Sequence, residues 1–203
     1  MPRIVPRRDP AARRPRGRPR SERCRLAIRG AVAELLEELP YTEISIEAIA
    51  ARAGVSKQTI YRWWSGKAQL AMEAYAELMA TRVRADDTGD LGDDLRGLLR
   101  RSFVVLRAPR RAATFAGLVA AAQHDPSLAT EFRETYIGVR RRVIAAVLTR
   151  AIARGQLPPT TPIPVAIDLL YGPIWYRLLL RNAPLDAAFA DELVFRFLAA
   201  FAR

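Results

Sequence analysis

The sequence predicts an all-α fold with about nine helices: an N-terminal three-helix helix-turn-helix domain and a larger C-terminal helical domain. Three observations support this class. Apolar side chains recur at three- and four-residue intervals from residue 21 onwards, and no stretch alternates apolar and polar residues as a strand would. Two short helical patterns in residues 45–70 flank a glycine-containing turn. The expected boundaries are 21–67 for the helix-turn-helix, 68–84 for a connecting helix and 85–203 for the helical body.

A disordered basic arm is expected at residues 1–20, which hold eight arginines, five prolines and one acid. Proline density and charge repulsion argue against a packed element there. The run Arg16-Gly17-Arg18-Pro19 is like the core of an AT-hook, an extended strip thin enough to enter a narrow A·T minor groove. Arg16 and Arg18 are therefore candidate DNA contacts, either by insertion into that groove or by general attraction to phosphates.

The helical segments of the N-terminal domain begin and end at recognisable residues. The first helix is expected over residues 21–39, with Ser21 as its N-cap. Ser45 and Ser56 stand at the N-cap positions of two further helices, each about eight residues long. Gly54 falls where the first of these two must end in a left-handed residue, which glycine adopts without steric cost. The pattern predicts a helix-turn-helix, whose second helix enters the DNA major groove.

The second helix of this motif carries a polar face suited to DNA, opposite the apolar Ile60 and Trp64. Glutamine and lysine side chains can bond base edges, whereas tyrosine and lysine can contact phosphates. Lys67 begins the next helix, where backbone N–H groups could help to hold a phosphate. The alternative is an ordinary helical hairpin with a solvated polar face. The caps, the turn, the apolar spacing and the basic face agree with one another and favour the DNA-reading interpretation. The polar face consists of Lys57, Gln58, Tyr61 and Arg62.

Residues 49–70, IAARAGVSKQTIYRWWSGKAQL, resemble the DNA-binding domain of the TetR family of bacterial transcriptional regulators. The resemblance covers about residues 21–70. It departs from the family pattern at Trp63, where many members carry histidine, and at Pro40, where a helix-ending glycine is common. It leaves open whether Trp63 touches the sugar-phosphate or only packs. Together with the polar face, the resemblance implies DNA contacts from Ser45, Ser56, Lys57, Gln58, Thr59, Tyr61, Arg62, Trp63 and Lys67.

Everything after residue 90 is expected to be helical, with proline- or glycine-containing segments between the helices. Five helices are expected, at about 91–107, 110–123, 127–154, 163–181 and 186–202. The acidic loop at residues 86–92 lacks the ligand spacing of a calcium loop. Asp90 stands instead where an acid favours a helix N-terminus. No metal site and no cofactor is therefore expected.

The last two predicted helices carry more apolar surface than a soluble monomer would expose. The segment 163–181 is apolar almost all round, and 186–202 has one apolar face. Pairing with the same helices of a second chain would give a twofold-symmetric four-helix bundle, as the resemblance also implies. Such a homodimer would present two recognition helices to a palindromic operator. The expected interface residues are Leu170, Ile174, Leu178, Phe189, Leu193, Phe197 and Phe201.

The resemblance further implies that the body binds a small-molecule effector, which lowers the affinity for DNA. Most aromatic residues at helical spacing form core, and some line cavities. Because few charged side chains occur among the candidate cavity residues, a hydrophobic or aromatic effector is expected. Pro173 should kink its helix, either to wrap it round the body or to make room for a ligand. The candidate effector contacts are Phe103, Phe115, Leu118, Gln123, His124, Phe132, Tyr136, Tyr171 and Trp175.

Composition argues against other protein classes. The net charge is +12, and +8 of it lies in residues 1–67, where a positive field favours phosphate contact. One cysteine, Cys24, and one histidine, His124, cannot form a zinc cluster, and no glycine-rich phosphate loop appears, so no enzyme is expected. No uninterrupted apolar segment is long enough to span a membrane, and no signal peptide is recognisable. A single cysteine fits a reducing cytoplasm.

These observations predict a cytoplasmic, homodimeric, sequence-specific DNA-binding regulator, a repressor released by a small hydrophobic or aromatic molecule. A non-specific architectural DNA-binding protein would need little beyond the arm and the helix-turn-helix, so a body of about 120 residues argues against it. A helical module whose body binds a protein rather than a small molecule stays open. A cavity in the body would favour a small-molecule ligand, and the absence of a cavity would favour a protein partner.

Overall fold

The structure, a computed structural model, describes residues 18–201, with side chains from residue 22 onwards. This part of the chain forms nine helices and no strand, so the all-α prediction is confirmed. Residues 1–17 of the predicted basic arm, with Arg16, lie outside the described residues, whereas residues 18–20 belong to the first helix and are not disordered as predicted. The helices are α1 (Arg18–Glu38), α2 (Ile46–Ala53), α3 (Lys57–Tyr61), α4 (Lys67–Arg82), α5 (Leu91–Leu106), α6 (Pro109–His124), α7 (Pro126–Glu131, a π-helical stretch Phe132–Ile137, and Gly138–Ala153), α8 (Ile163–Leu180) and α9 (Ala187–Phe201).

The first helix begins earlier than the sequence indicated. Because α1 starts at Arg18, Ser21 lies inside it, and the predicted N-cap at Ser21 is wrong. Beyond Glu38 the chain makes a single 3-10 turn, Tyr41–Glu43, before α2. The inner face of α1 packs against α2 and α4 and forms the core of the head, the name used here for α1–α3. Its buried side chains are Ile28, Ala31, Val32, Leu35 and Leu36.

The turn between α2 and α3 has the predicted geometry. Gly54 has a φ of +65°, in the left-handed region, and its N–H donates to carbonyls in the last turn of α2. Whereas α2 has the expected eight residues, α3 has only five, Lys57–Tyr61, and is shorter than predicted. Ile60 and Trp64 are almost fully buried at 0% and 2% exposure. Both side chains lie in the core of the head, so the opposite side of α3 faces outwards.

The connecting helix α4 leads from the head into the body, the name used here for α5–α9. Its Tyr75 ring enters a cluster of aromatic rings in the centre of the body, where neighbouring centroids lie 5.1–6.0 Å apart. The π-helical stretch of α7 stacks the rings of Phe132 and Tyr136 with centroids 5.4 Å apart. Such stretches inside α-helices are frequent at functional sites. The other cluster members are Phe115 and Trp175.

The predicted acids between α4 and α5 hold this loop against the body. The Asp90 carboxylate accepts an N–H in the first turn of α5, as an N-cap does. Asp86 forms an ion pair with Arg101 at 2.7 Å, and Asp87 forms one with Arg154 at 2.6 Å. The structure therefore gives these three acids roles in capping and in pairing with arginine.

Helix α8 corrects the expectation about membrane-spanning length. In the described part of the chain, it alone is long and apolar enough to span a membrane, judged by length and composition. Asp168, Pro173 and Arg177 interrupt the apolar run in sequence, but the helix continues through all three. One face of α8 packs into the core of the body.

Most of the side chains predicted for the dimer interface lie inside the single chain. Five of them are at most 9% exposed, and they pack in the core. The other two are half-buried: Phe189 stacks on Phe103 with centroids 5.7 Å apart, and Phe201 packs on Phe197 at 4.9 Å. Burial within their own chain argues against an interface role for the five buried residues, and the interface call stays a prediction for Phe189 and Phe201. Those five are Leu170, Ile174, Leu178, Leu193 and Phe197.

A different apolar set remains exposed on the two C-terminal helices. We call it the outer face of α8 and α9. Its members are between 38% and 61% exposed. The outer face consists of Val165, Leu169, Tyr176, Leu179, Leu180 and Phe195.

Candidate DNA-reading surface and effector cavity

Two serine side chains fix the starts of the helix-turn-helix helices. The Ser45 Oγ accepts the Ala48 N–H at 3.1 Å and begins α2. The Ser56 Oγ accepts the Thr59 N–H at 3.3 Å and lies 3.0 Å from Thr59 Oγ1 at the start of α3. As N-caps, these serines satisfy backbone donors and set where each helix begins. Ser45, Ser56 and Thr59, all predicted DNA contacts, thus already make hydrogen bonds within the head.

The outer side of α3 presents four predicted contacts to solvent. Lys57, Gln58, Tyr61 and Arg62 are all exposed, Tyr61 by 55%. We call these four side chains the DNA-reading surface. Because Ile60 is fully buried on the opposite side, the orientation of this surface is set by the core of the head. A short helix that projects polar side chains outwards in this way suits insertion into a major groove.

Lys57 has an acidic partner on α2. Its Nζ lies 3.0 Å from Glu47 Oε1, and this hydrogen bond raises the pKa of the Lys57 ammonium and lowers the pKa of the Glu47 carboxyl. Both groups are exposed, so the pair is weakly held and open to competition. A DNA phosphate would compete with Glu47 for this ammonium.

The two tryptophans that follow α3 have different environments. Trp64 is 2% exposed and donates its Nε1–H to Glu73 Oε2 at 2.6 Å. Trp63 is 39% exposed, and the Arg25 guanidinium lies 6.0 Å from its ring centroid. Trp63 therefore packs against α1 through Arg25 and still presents ring surface to solvent.

The Lys67 side chain ties α4 to the 3-10 turn before α2. Its Nζ donates to the Tyr41 carbonyl oxygen at 3.1 Å and lies 4.6 Å from the Tyr41 ring centroid. Partial burial lowers the pKa of this ammonium. A phosphate bound by Lys67 would share the ammonium with Tyr41.

Of the two predicted DNA contacts in the arm, Arg18 is the first residue of α1, and its side chain lies outside the described ones.

A cavity of about 400 Å³ lies between α4 and four helices of the body, α5, α6, α7 and α8. Four of the nine predicted effector residues line it: Phe115, Tyr136, Tyr171 and Trp175. The rest of the lining is mostly apolar. The charged exceptions are Arg140, Arg141 and Asp168.

The other five predicted effector residues lie elsewhere. Phe103 is buried against α9, and Leu118 and Phe132 are buried in the core without lining the cavity. Gln123 and His124 are exposed at the C-terminal end of α6. Helical spacing identifies side chains that point inwards, but it does not distinguish those in the core from those that face a cavity.

Gly172 and Pro173 stand where α8 passes the cavity. Gly172 lines the cavity, and a methyl group added there would meet no atom within 4 Å. Pro173 has no N–H to donate to the carbonyl four residues earlier, which weakens the helix at this point. Gly172 and Ile174, on either side of Pro173, line the cavity, and the two predicted roles of Pro173 both stay predictions.

Arg140 is a cavity residue that sequence reasoning missed. It is 5% exposed, and its Nη1 donates to the Val83 carbonyl oxygen at the end of α4, at 3.1 Å. Arg140 follows the cavity residue Tyr136 by four residues and so shares its helix face, which was the usable signal in the sequence. The run of three arginines that begins at Arg140 is more typical of a solvated surface.

Helix α6 joins the cavity to the head. The Arg110 Nη1 donates to the main-chain oxygens of Glu37 and Glu38 at 2.8 and 2.6 Å, which satisfies carbonyls at the C-terminal end of α1. Arg111 makes two hydrogen bonds to the Glu37 carboxylate at 2.9 and 2.8 Å. One turn further along the same helix, Phe115 lines the cavity.

The two parts of the chain match two known sequence families. Residues 28–74 match the family described as bacterial regulatory proteins, tetR family, and residues 85–196 match the family described as tetracyclin repressor-like, C-terminal domain. The chain is 36% identical over 179 residues to the uncharacterized HTH-type transcriptional regulator YdeS of Bacillus subtilis (strain 168), covering 88% of this chain and 90% of that protein. It is 32% identical over 181 residues to the DNA-binding transcriptional repressor TetR of Mycobacteroides abscessus, covering 86% and 92%.

A solved structure with the same fold is also similar in sequence. The crystal structure of the TetR family transcription regulator SCO0332 matches with a TM-score of 0.81 and 34% identity, covering 89% of this chain and 99% of that one. The match over residues 28–74 agrees with the helix-turn-helix described above, and the match over residues 85–196 covers most of the body. The sequence relatives and this solved structure point to the same family. The chain belongs to the TetR family and is a DNA-binding transcriptional regulator rather than an enzyme.

Proposed function

We propose that this regulator is a homodimeric cytoplasmic repressor, whose affinity for a palindromic operator falls when a small molecule occupies the cavity. One observation carries this proposal: the cavity of about 400 Å³ is lined by α6, the helix that also holds the end of α1. The relative from Mycobacteroides abscessus, named as a repressor, supports repression as the output. The mostly apolar and aromatic lining supports a hydrophobic or aromatic effector.

The outer face of α8 and α9 is the proposed dimer interface. Val165, Leu169, Tyr176 and Leu180 lie on one side of α8 and are each more than half exposed. Phe195 on α9 adds an aromatic ring that is 57% exposed. Monomeric proteins rarely leave a contiguous apolar patch of this kind uncovered. A twofold axis would cover the patch with the same patch of a second chain and would give the dimer two DNA-reading surfaces.

We assign different tasks to the residues of the DNA-reading surface. Gln58 is proposed to read a base edge in the major groove, and Tyr61 and Arg62 are proposed to contact phosphates. Lys57 can reach either once it leaves Glu47. Supporting contacts are proposed from Ser45, Ser56, Thr59, Trp63 and Lys67, and from the arm residues Arg16 and Arg18.

Occupation of the cavity would be transmitted to the head through α6 and α4. A ligand beside Phe115 would displace α6, and Arg110 would pass that displacement to α1. The Phe115 ring also packs on Tyr75 of α4, with centroids 5.3 Å apart, so α4 would follow. Moving either head changes the distance between the two α3 helices of a dimer. Half-sites at a fixed spacing then bind less tightly.

Selection from a randomised duplex pool at physiological salt, followed by sequencing of the retained DNA, tests the operator-reading function. We expect a palindrome whose half-sites are separated by one helical turn or a multiple of it. Gln58→Ala should change the base preference at one position of each half-site, whereas Tyr61→Ala should weaken binding to all sequences. An unchanged preference in Gln58→Ala would exclude base reading by this residue. Enrichment of A·T-rich DNA without a palindrome would contradict operator reading and favour an architectural protein.

Transcription in vitro from a promoter that carries the selected palindrome tests the sign of regulation. A repressor should reduce the amount of transcript as protein is added, and a promoter with a scrambled palindrome should be unaffected. More transcript from the intact promoter would show that the output is activation.

A further inference from the structure

Arg140 carries a positive charge inside the body without an acidic partner among the described residues. It is 5% exposed, and arginine is rarely buried to this degree unless it is paired with an acid. Its Nη1 donates to the Val83 carbonyl oxygen at 3.1 Å. Its Nη2 is buried and has no hydrogen-bond partner within residues 22–201. The Tyr171 phenol lies close to this guanidinium but forms no hydrogen bond with Nη2, which faces the cavity as an unused donor.

The other ionisable groups that line the cavity do not neutralise this charge. Asp168 is paired with Arg141, and Arg140 forms no ion pair with it. Burial raises the pKa of Tyr136 and of Tyr171, so both phenols are neutral and stay hydrogen-bonding groups rather than anions. The cavity wall thus has one uncompensated positive charge.

The rest of the cavity is suited to an apolar body. Phe115 and Trp175 form an edge-on aromatic pair with centroids 5.1 Å apart, and Leu106 and Ile174 add aliphatic surface. A volume of about 400 Å³ is within the range in which proteins hold small organic ligands. A ligand that fits both parts has an acidic group at one end and a hydrophobic remainder.

We propose that Arg140 is an anion-binding residue of the effector cavity, and that the effector is an organic acid with one negatively charged group, such as a carboxylate, on an aromatic or hydrophobic body. This inference rests on the proposed effector function of the cavity and adds its chemical class. It keeps the predicted hydrophobic or aromatic body of the effector and adds one negatively charged group. A hydrogen bond from a buried guanidinium to an anion is among the stronger polar contacts in proteins.

The same arginine links the ligand to the connecting helix. Through Nη1 it holds the carbonyl oxygen of Val83, the C-cap residue of α4. An anion bound at Nη2 would pull on the guanidinium that secures this end of α4. The acidic group of the effector therefore acts on the helix that leads to the head.

A matched pair of fluorescent probes tests the proposal. Anilinonaphthalene sulfonate is an aromatic anion, and N-phenylnaphthylamine has the same ring system without the acidic group. We expect the folded protein to bind the anionic probe more tightly, although the neutral probe is the more hydrophobic of the two. R140Q should weaken the anionic probe by about tenfold or more and leave the neutral probe within about twofold. The exposed Arg142 on the same helix provides the control, and R142Q should affect neither probe.

A third variant shows whether the probes occupy the cavity at all. Ser102→Trp should obstruct it, because Ser102 lines the cavity and is only 5% exposed, and should remove both probes. If Ser102→Trp removes both probes but R140Q leaves the anionic probe unaffected, the anion assignment is wrong and the effector cavity stands. If Ser102→Trp leaves the binding of both probes unchanged, or if neither probe binds, both the effector cavity and the anion assignment are contradicted.

A charge-retaining variant covers the case in which R140Q does not fold. R140K is expected to keep the preference for the anionic probe, with folding checked by circular dichroism. The assignment would also be overturned, without any substitution at Arg140, if the wild-type protein bound the neutral probe more tightly and Ser102→Trp removed that probe.

Discussion

Two neighbouring leucines of α8 distinguish the proposed dimer interface from the core. Leu169 is 52% exposed on the outer face, and Leu170 is fully buried. We expect Leu169→Asp to dissociate the dimer while each chain stays folded. Leu170→Ala should destabilise the fold of the chain and should not specifically weaken the interface.

The magnitudes follow from these exposures. Full burial of a leucine side chain contributes about 1.5–3 kcal/mol, so the exposed half of Leu169 contributes about 1 kcal/mol, and about 2 kcal/mol in a twofold dimer. Loss of this contribution alone weakens dimerisation roughly 30-fold. The desolvation of two new carboxylates adds to the loss. Leu170→Ala leaves a cavity in the core and should lower the free energy of unfolding by about 2–5 kcal/mol.

Analytical ultracentrifugation over a range of protein concentrations measures the dimer dissociation constant, and thermal unfolding followed by circular dichroism measures stability. Operator affinity should fall with dimerisation in Leu169→Asp, because a monomer reads one half-site. The reasoning is refuted if Leu169→Asp dimerises as tightly as the wild type. It is also refuted if Leu170→Ala yields folded monomers, because the inner face would then be the interface.

Three further predictions concern single contacts. The Tyr75 hydroxyl is buried without a partner among the described residues, so Tyr75→Phe should raise the Tm by about 2–4 °C, and a lower Tm in a thermal melt would contradict this. Glu47→Gln frees Lys57 and should strengthen binding to DNA of any sequence with a steeper salt dependence, measured by titration at several salt concentrations. Glu43→Gln is its exposed control, and equal effects of the two would argue against competition for Lys57. Arg110→Ala removes two hydrogen bonds from the end of α1 and should speed amide hydrogen exchange near that end but not in α9, and unchanged rates would show that Arg110 does not hold the end of α1.

Features that depend on a few neighbouring residues were predictable from the sequence. Gly54 ends α2 in the left-handed region, and Ser45 and Ser56 cap their helices, because a cap bonds only to backbone groups within one turn. Ser21 shows the limit of this approach. A serine is tolerated inside a helix as well as at its start, and α1 begins instead at Arg18.

The sequence by itself determined the helix-turn-helix, the helical body and the family. It did not determine which side of α8 is inside, because a helix that is apolar almost all round has no preferred face in its own periodicity. Only packing against the rest of the body placed Leu170 in the core and Leu169 on the outer face. The buried charge of Arg140 has the same origin. Its surroundings come from α4, α7 and α8, which are far apart in the sequence and meet only in the folded chain.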